Sequence, residues 1–255
     1  MKLKVKGVEF GYNSTLVLEG VSMDLDSSEI IGIVGPNGAG KSTLIRCIDR
    51  ILTPRGGSIL LDGNDVSNMT RMEIAKRMGY VPQTTTRVFP ATVFDTVLMG
   101  RRPHLGWKSS DDDVDAVIEV LELMGIMEFA MRDFNEISGG QQQNVLIARA
   151  LAQEADILLL DEPTSNLDIR HQLEVMDIMQ GIVRTKGISA IVAIHDLNLA
   201  SRYTDRLLLM NGGRIFAAGG PESVLTVENI RQAYGVEALV KSDGERPYII
   251  PVRPV

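Results

Sequence analysis

Nine residues, GPNGAGKST from Gly35 to Thr43, constrain this chain more than any other stretch. They match the phosphate-binding pattern G-x-x-x-x-G-K-[ST] at every fixed position. Glycines let the backbone curl until consecutive N–H groups face one anion. Lys41 supplies a point charge for β- and γ-phosphates, and the Ser42 hydroxyl supplies a ligand for Mg²⁺. Such a loop needs a strand before it and a helix after it. EIIGIVG, Glu29 to Gly35, is an apolar run ending in glycine and reads as a buried strand. KSTLIRCIDRIL reads as a helix with Leu44, Ile48, Ile51 and Leu52 on one face.

The rest of the chain continues the alternation. Residues 3–10 and 15–25 read as short strands, and GGSILLDGNDV, ending at Val66, as a β segment broken by Asp-Gly. From about 84 to 152 the pattern turns helical. DDDVDAVIEVLELMG has acids at a helix start, Val114, Val117, Ile118 and Leu121 on one face, and Gly125 as a stop. QQQNVLIARALA reads as a second helix. ILLLDE and ISAIVAIH then read as buried strands around the helix IRHQLEVMDIMQGIVRTKG, and RLLLM with RIFAAG make a final pair around Asn211-Gly212-Gly213. Strands alternating with helices predict a mostly parallel sheet covered on both faces, with a helical lobe inserted.

Composition removes several alternatives. Of 255 residues, 44% are hydrophobic and 23% charged, enough for one large globular domain. A net charge of -7 argues against a broad nucleic-acid or anionic-membrane surface. The single cysteine, Cys47, excludes an internal disulfide and fits a reducing compartment. No apolar run approaches the ~18 residues that span a bilayer, and MKLKVKGVEFGY alternates as an edge strand does rather than as a leader.

Candidate site residues fall outside the loop too. In ILLLDE, Asp161 would hold the Mg²⁺ shell and Glu162 would polarise an attacking water. Gln83 follows the strand-like GYVPQ and is a neutral donor near the metal. His195 ends a buried strand, where a structural and a functional histidine are both in keeping. Tyr12 could stack on a base or pack. His104, His171 and Trp107 carry no metal or catalytic spacing. EISGGQQQ, Glu136 to Gln143, reads two ways. Ser138 and Gln141 fit a capping box, but a capping box does not need Gly139 and Gly140. Side chains missing from a helix's first turn let an anion approach its N–H groups.

In this order, the pieces resemble the nucleotide-binding subunit of an ABC transporter over essentially the whole chain. GPNGAGKST corresponds to the Walker A loop (Gly35, Pro36, Asn37, Gly38, Ala39, Gly40, Lys41, Ser42, Thr43), Gln83 to the Q-loop, and ISGGQ, Ile137 to Gln141, to the signature. ILLLDE corresponds to Walker B, SNLD, Ser165 to Asp168, to the D-loop, and His195 to the switch histidine. The resemblance implies an α/β fold: a P-loop NTPase core with a RecA-like parallel sheet, an N-terminal antiparallel β subdomain and an inserted helical subdomain. The whole of 1–255 would be one domain, with the core in 1–83 and 153–255 and the helical subdomain in 84–152.

It also implies an ATPase using ATP and Mg²⁺, with Tyr12 on the adenine and Ser42, Gln83 and Asp161 around the metal. Glu162 would be the general base and His195 would contact the γ-phosphate. Two copies would pack head to tail, so that Ser138, Gly139, Gly140, Gln141 and Asp168 of one serve the nucleotide of the other. Ile137 stands where the signature usually begins with leucine, and Gln142 where an arginine is common, which removes a positive charge. VLMGRRPHLGW, Val97 to Trp107, with RHQLEVMDIM, HDLNLASRYTDRLLLMNGGRI and the tail from Tyr234 to Pro251, is similar to importers of iron–siderophore complexes, haem and cobalamin. That narrower resemblance implies two separate membrane permease subunits, a substrate-binding protein and a place at the cytoplasmic face of the membrane. It implies iron chelate ahead of cobalamin or haem as cargo, and no nucleic-acid partner. A soluble ABC ATPase without a permease is the competing class; exporters often fuse the membrane helices to the cassette.

Overall fold

A computed structural model describes residues 2–83, 90–105, 109–165, 167–242, 244 and 246–255. The chain opens with β1 (Leu3–Tyr12), β2 (Thr15–Leu25) and β3 (Ile30–Val34), then α1 (Lys41–Ile48), β4 (Gly56–Leu61), β5 (Asn64–Asp65), α2 (Arg71–Ala75) and β6 (Met78–Val81). Three helices follow: α3 (Val93–Leu98), α4 (Asp111–Leu123) and α5 (Gly139–Ala152). Alternation returns with β7 (Ile157–Asp161), α6 (Ile169–Lys186), β8 (Ser189–Ala193), α7 (Leu197–Tyr203), β9 (Arg206–Asn211) and β10 (Arg214–Gly219). The end is α8 (Pro221–Val224), α9 (Val227–Tyr234), β11 (Val236–Ser242) and β12 (Pro247–Pro254).

The central sheet runs β10-β9-β3-β8-β7-β6. Every pair in it is parallel except β10 with β9. A second, antiparallel sheet runs β2-β1-β4-β5, and β11 and β12 form a two-stranded sheet. Side chains alternate across a strand, so a sheet covered on both faces feeds two cores. Leu158, Leu160, Val192, Leu207 and Leu209 enter one core with the helices α3 to α7. Ile157, Leu159, Ile191, Leu208 and Met210 enter the other, under α1 and the antiparallel sheet. This is the parallel, doubly covered sheet that the alternation predicts.

Two helix readings need correction. The helix after the glycine loop stops at Ile48 rather than running to Leu52. Arg50 adopts a left-handed φ of 55°, which turns the chain and leaves Ile51 exposed. In α4 the buried face is Asp113, Val117, Val120 and Leu121, while Val114 and Ile118 are only partly covered. The cause is an ion pair that periodicity cannot show. Arg101, buried at 7% exposure, donates from Nε to Asp113 Oδ1 at 3.0 Å. It also donates from Nη1 to Ala152 O at 2.9 Å and Glu154 Oε2 at 2.6 Å. Bonds from the Ser110 backbone, with Arg101 second, hold the Asp113 carboxyl down at about 2. The neighbouring Gly100 lies against α5, where an added Cβ would meet Arg149 O at 2.0 Å.

Candidate functional site

The glycine loop fits its place by close approach. At Gly35, φ is 147° and a Cβ would strike Met210 O at 2.2 Å. At Gly40, φ is 100° and a Cβ would lie 2.8 Å from Leu18 Cδ2. Both positions therefore demand glycine. Gly40 is the N-cap of α1, whose first turn carries no acid, so its free N–H groups and dipole favour an anion. A cleft of about 150 Å³ lies there, lined by Val17, Asn37 to Thr43, and Glu162. Lys41 is buried, and its Nζ donates to Gly35 O at 2.8 Å and Pro36 O at 3.2 Å. Burial pushes its ammonium below the ordinary value, opposed by the charges of Glu162 and Asp161.

The end of β7 brings two carboxylates to this loop. Asp161 is fully buried, which is costly for a carboxylate without partners. Its partners are Ser42 Oγ, donating at 2.6 Å, Arg46 Nη2 at 3.3 Å and Tyr80 OH at 3.4 Å. Glu162 follows in a left-handed conformation, φ 53°, and its side chain is also buried. Gln83 Nε2 donates to its Oε2, and His195 Nε2 sits 2.5 Å from its Oε1. Residues from three separate strand ends thus converge on one carboxylate. A base so placed can orient and deprotonate a water. Among the described residues no group of three or more His, Cys, Asp or Glu could hold a metal. The paired oxygens of Ser42 and Asp161 suit Mg²⁺, which keeps waters and takes phosphate oxygens.

The signature residues do not line that cleft. Ser138 caps α5, accepting from Gln141 N–H at 3.3 Å, and Gln141 Oε1 returns the bond to Ser138 N–H at 2.9 Å. The capping box is therefore real, and the glycines remain unexplained by it. A Cβ on Gly139 would meet nothing within 4 Å, and one on Gly140 only Leu167 at 3.4 Å. Gln142 turns back to its own chain, donating to Phe134 O at 3.0 Å and Ile137 O at 3.4 Å. Asp168 caps α6 and accepts from His171 N–H at 3.0 Å. Tyr12 is half-exposed and meets Phe10 edge-on, with centroids 5.0 Å apart. His104 bonds Gln153 O at 2.9 Å. Asn166 of SNLD and Trp107 of VLMGRRPHLGW lie outside the described residues.

Sequence reasoning missed Arg46 and Tyr80 at Asp161. Arg46 follows Ser42 by four residues on α1, so helical spacing alone puts it on the Ser42 face. Tyr80 had no such signal. Tyr234 was also missed as a site neighbour. Burial pushes its phenol up, while the Gly35 N–H beside it pulls the other way. The two stop short of hydrogen-bond geometry, so the hydroxyl stays buried without a partner among the described residues.

A family model described as ABC transporter matches residues 18–165. An uncharacterized ABC transporter ATP-binding protein of Methanocaldococcus jannaschii is 47% identical over 99% of this chain and 98% of its own. A cobalamin import ATP-binding protein of Halobacterium salinarum is 40% identical over 95% of this chain, which spans 61% of that relative. The ferric enterobactin transport ATP-binding protein of Escherichia coli is 35% identical over 98% and 94%. Among solved structures, an inward-facing metal-chelate type ABC transporter superposes with a TM-score of 0.86 at 28% identity, covering 98% of this chain and 97% of that one. A bacterial ABC transporter cassette in dimeric form gives 0.77 at 27% identity, covering 86% and 98%.

Proposed function

On the premise that this chain belongs to the ABC transporter family, as an ATP-binding subunit and an ATPase, we propose that it powers import of a metal chelate through a separate permease. Cassettes of this kind dimerise, and import ATPases act on a permease they do not contain. An iron(III)–siderophore complex is the cargo we favour, on the enterobactin relative and the metal-chelate structure. Cobalamin is the second reading, on the relative at 40% identity. The partners are a second copy of this chain, two permease subunits and, through them, a substrate-binding protein. Their place is the cytoplasmic face of the membrane; no helix among the described residues is long and apolar enough to cross it. The chain works as one domain, with residues 84–152 as the lobe that carries the signature.

The observation that carries the mechanism is Glu162, a buried carboxylate clamped between Gln83 and His195 beside the glycine loop. Residues 35–43 and Lys41 hold the phosphates, and Tyr12 stacks the adenine. Ser42, Asp161 and Gln83 hold Mg²⁺, which when bound offsets phosphate charge. Glu162 takes the proton of the attacking water, and His195 meets the γ-phosphate. Ser138, Gly139, Gly140, Gln141 and Asp168 act on the nucleotide of the partner copy, a reading supported by the open space a Cβ on Gly139 would meet within 4 Å. Glu162→Gln keeps the clamp's shape and removes the base. It should bind ATP, accumulate as a dimer on size exclusion, and lose on the order of 10²–10⁴ in turnover. Wild-type turnover in that variant would remove Glu162 from the mechanism. The cargo is read by co-purifying the permease and binding protein and measuring which chelate the latter holds.

A further inference from the structure

His195 hangs between two anchors. On one side, Ile194 N–H donates to Ile33 O at 3.0 Å, tying the end of β8 to β3. On the other, Asp196 caps α7, accepting from Asn198 N–H at 2.7 Å and Leu199 N–H at 3.0 Å. Helix α7 has only seven residues, too short to hold itself in place by its own hydrogen bonds. Leu199, Ala200 and Tyr203 seat it in the first core, with the Tyr203 hydroxyl donating to Asp177 Oδ1 at 2.7 Å, and its N-terminal turn is tied to the C-terminal hairpin. Asn198 Oδ1 accepts the Ile249 N–H at 2.7 Å, and Asn198 Nδ2 donates to Ile249 O at 3.2 Å. The side-chain amide thus pairs with β12 as a neighbouring strand would. One turn on, Ser201 Oγ donates to Pro247 O at 2.6 Å in a buried contact. These two ties, three residues apart on one helix, add to that packing and join the turn after His195 to β12.

The hairpin itself is a stiff strut only because it is docked. A lone two-stranded ribbon is marginal in water. β11 and β12 pair over seven registered positions, and Ala238 and Ile249 enter the first core. The hairpin's outer side remains exposed at Leu239, Ile250 and Val252. Its inner side is the part that reaches α7.

We propose that Asn198 is a positioning residue for hydrolysis: through it the C-terminal hairpin sets the angle at which His195 meets Glu162. This rests on the reading that His195 serves the γ-phosphate. Asn198 touches neither nucleotide nor metal in that scheme, so its effect is on rate rather than on affinity.

The test uses the full chain and its three histidines, His104, His171 and His195. Ring Cε1–Hε1 signals are recorded by ¹³C–¹H correlation for wild type, Asn198→Ala and Ser201→Ala. ATP affinity and kcat are measured on the same samples. In Asn198→Ala the His195 signal should move or broaden while the other two stay. The kcat should fall about tenfold, the scale of two lost hydrogen bonds, with the Kd for ATP within about twofold. Ser201→Ala keeps the amide pair, should show the same changes more weakly, and stands in if Asn198→Ala does not fold. An unmoved His195 signal, or a kcat equal to wild type, overturns the proposal, since a purely structural tie would cost stability alone. His195→Ala with normal turnover would instead refute the role of His195; the ring signal is read without turnover, so the two failures are distinguishable.

Discussion

Gly100→Ala sets two physical effects against each other, and the structure fixes the winner. Backbone propensity alone favours alanine in a helical turn, by roughly 0.5–1 kcal/mol. At Gly100, however, the new Cβ would lie 2.0 Å from Arg149 O, 3.0 Å from Arg149 C and 3.3 Å from Ala152 Cβ. These are largely backbone atoms of α5, so no rotamer change relieves them. Contact at the ordinary ~3.5 Å requires the turn to retreat by more than about 1 Å. That retreat carries Arg101 with it, which donates to Ala152 O at 2.9 Å and Glu154 Oε2 at 2.6 Å from the same helix end. Overpacking costs about 1–3 kcal/mol, and one lost hydrogen bond to a charged group about 1.5–3 kcal/mol. Subtracting the propensity gain leaves a net destabilisation of about 3 kcal/mol. Gly181→Ala in α6 is the control, since its Cβ meets nothing within 4 Å and only the gain remains. Urea unfolding followed by far-UV circular dichroism gives both midpoints. A Gly100→Ala midpoint at or above wild type, with Gly181→Ala also raised, would refute the steric argument.

Three more expectations come from groups on and beside α1. Burial pushes the Cys47 thiol up to about 12, so in native protein at pH 8 it should react with a disulfide reagent far more slowly than in urea; equal rates would show that α1 opens freely. Burial also pushes the Asp49 carboxyl up to about 7 from an ordinary 3.8, with Arg71 pulling it down. The folded chain thus binds this proton more tightly, so the stabilisation is full below pH 3.8 and is lost, at up to about 1.4 kcal/mol per unit, as pH rises to 7. Asp49→Asn should therefore gain on wild type between about pH 4 and 7 and hold a constant lead above; a lead that does not change with pH contradicts this. Arg46→Met leaves Asp161 with Ser42 and Tyr80, and should raise the Mg²⁺ concentration for half-maximal ATPase by about 10-fold or more, whereas an unchanged Mg²⁺ titration would make Arg46 a bystander.

Local rules carried far in this chain, and they failed where a partner lay far along it. The strand–loop–helix around Gly35 to Thr43 was legible because each requirement sits beside the next: buried strand, left-handed glycines, helix start. The Ser138 cap was legible because a capping box spans only four residues. The α4 face was misjudged because Arg101, twelve residues upstream of Asp113, draws that carboxylate inward against hydrophobic period. The early end of α1 depends on a non-glycine residue in a left-handed turn, which no composition rule flags. The company Asp161 keeps was half legible, through Arg46 at helical spacing, and half not, through Tyr80 on an adjacent strand. The C-terminal hairpin's grip on Asn198 joins residues 51 apart in sequence. It was invisible to any window.

The two-sided sheet has a further meaning for how this chain could vary. Leu158 and Leu160 face one core and Ile157 and Leu159 the other. Deleting a single residue before Asp161 would turn the strand over, like a zip closed one tooth out of step. It would carry the aspartate to the wrong side, away from Ser42. A length change would therefore be borne in the connections and not within the strand, and the spacing from sheet to phosphate loop is counted in whole residues, with no room for half measures.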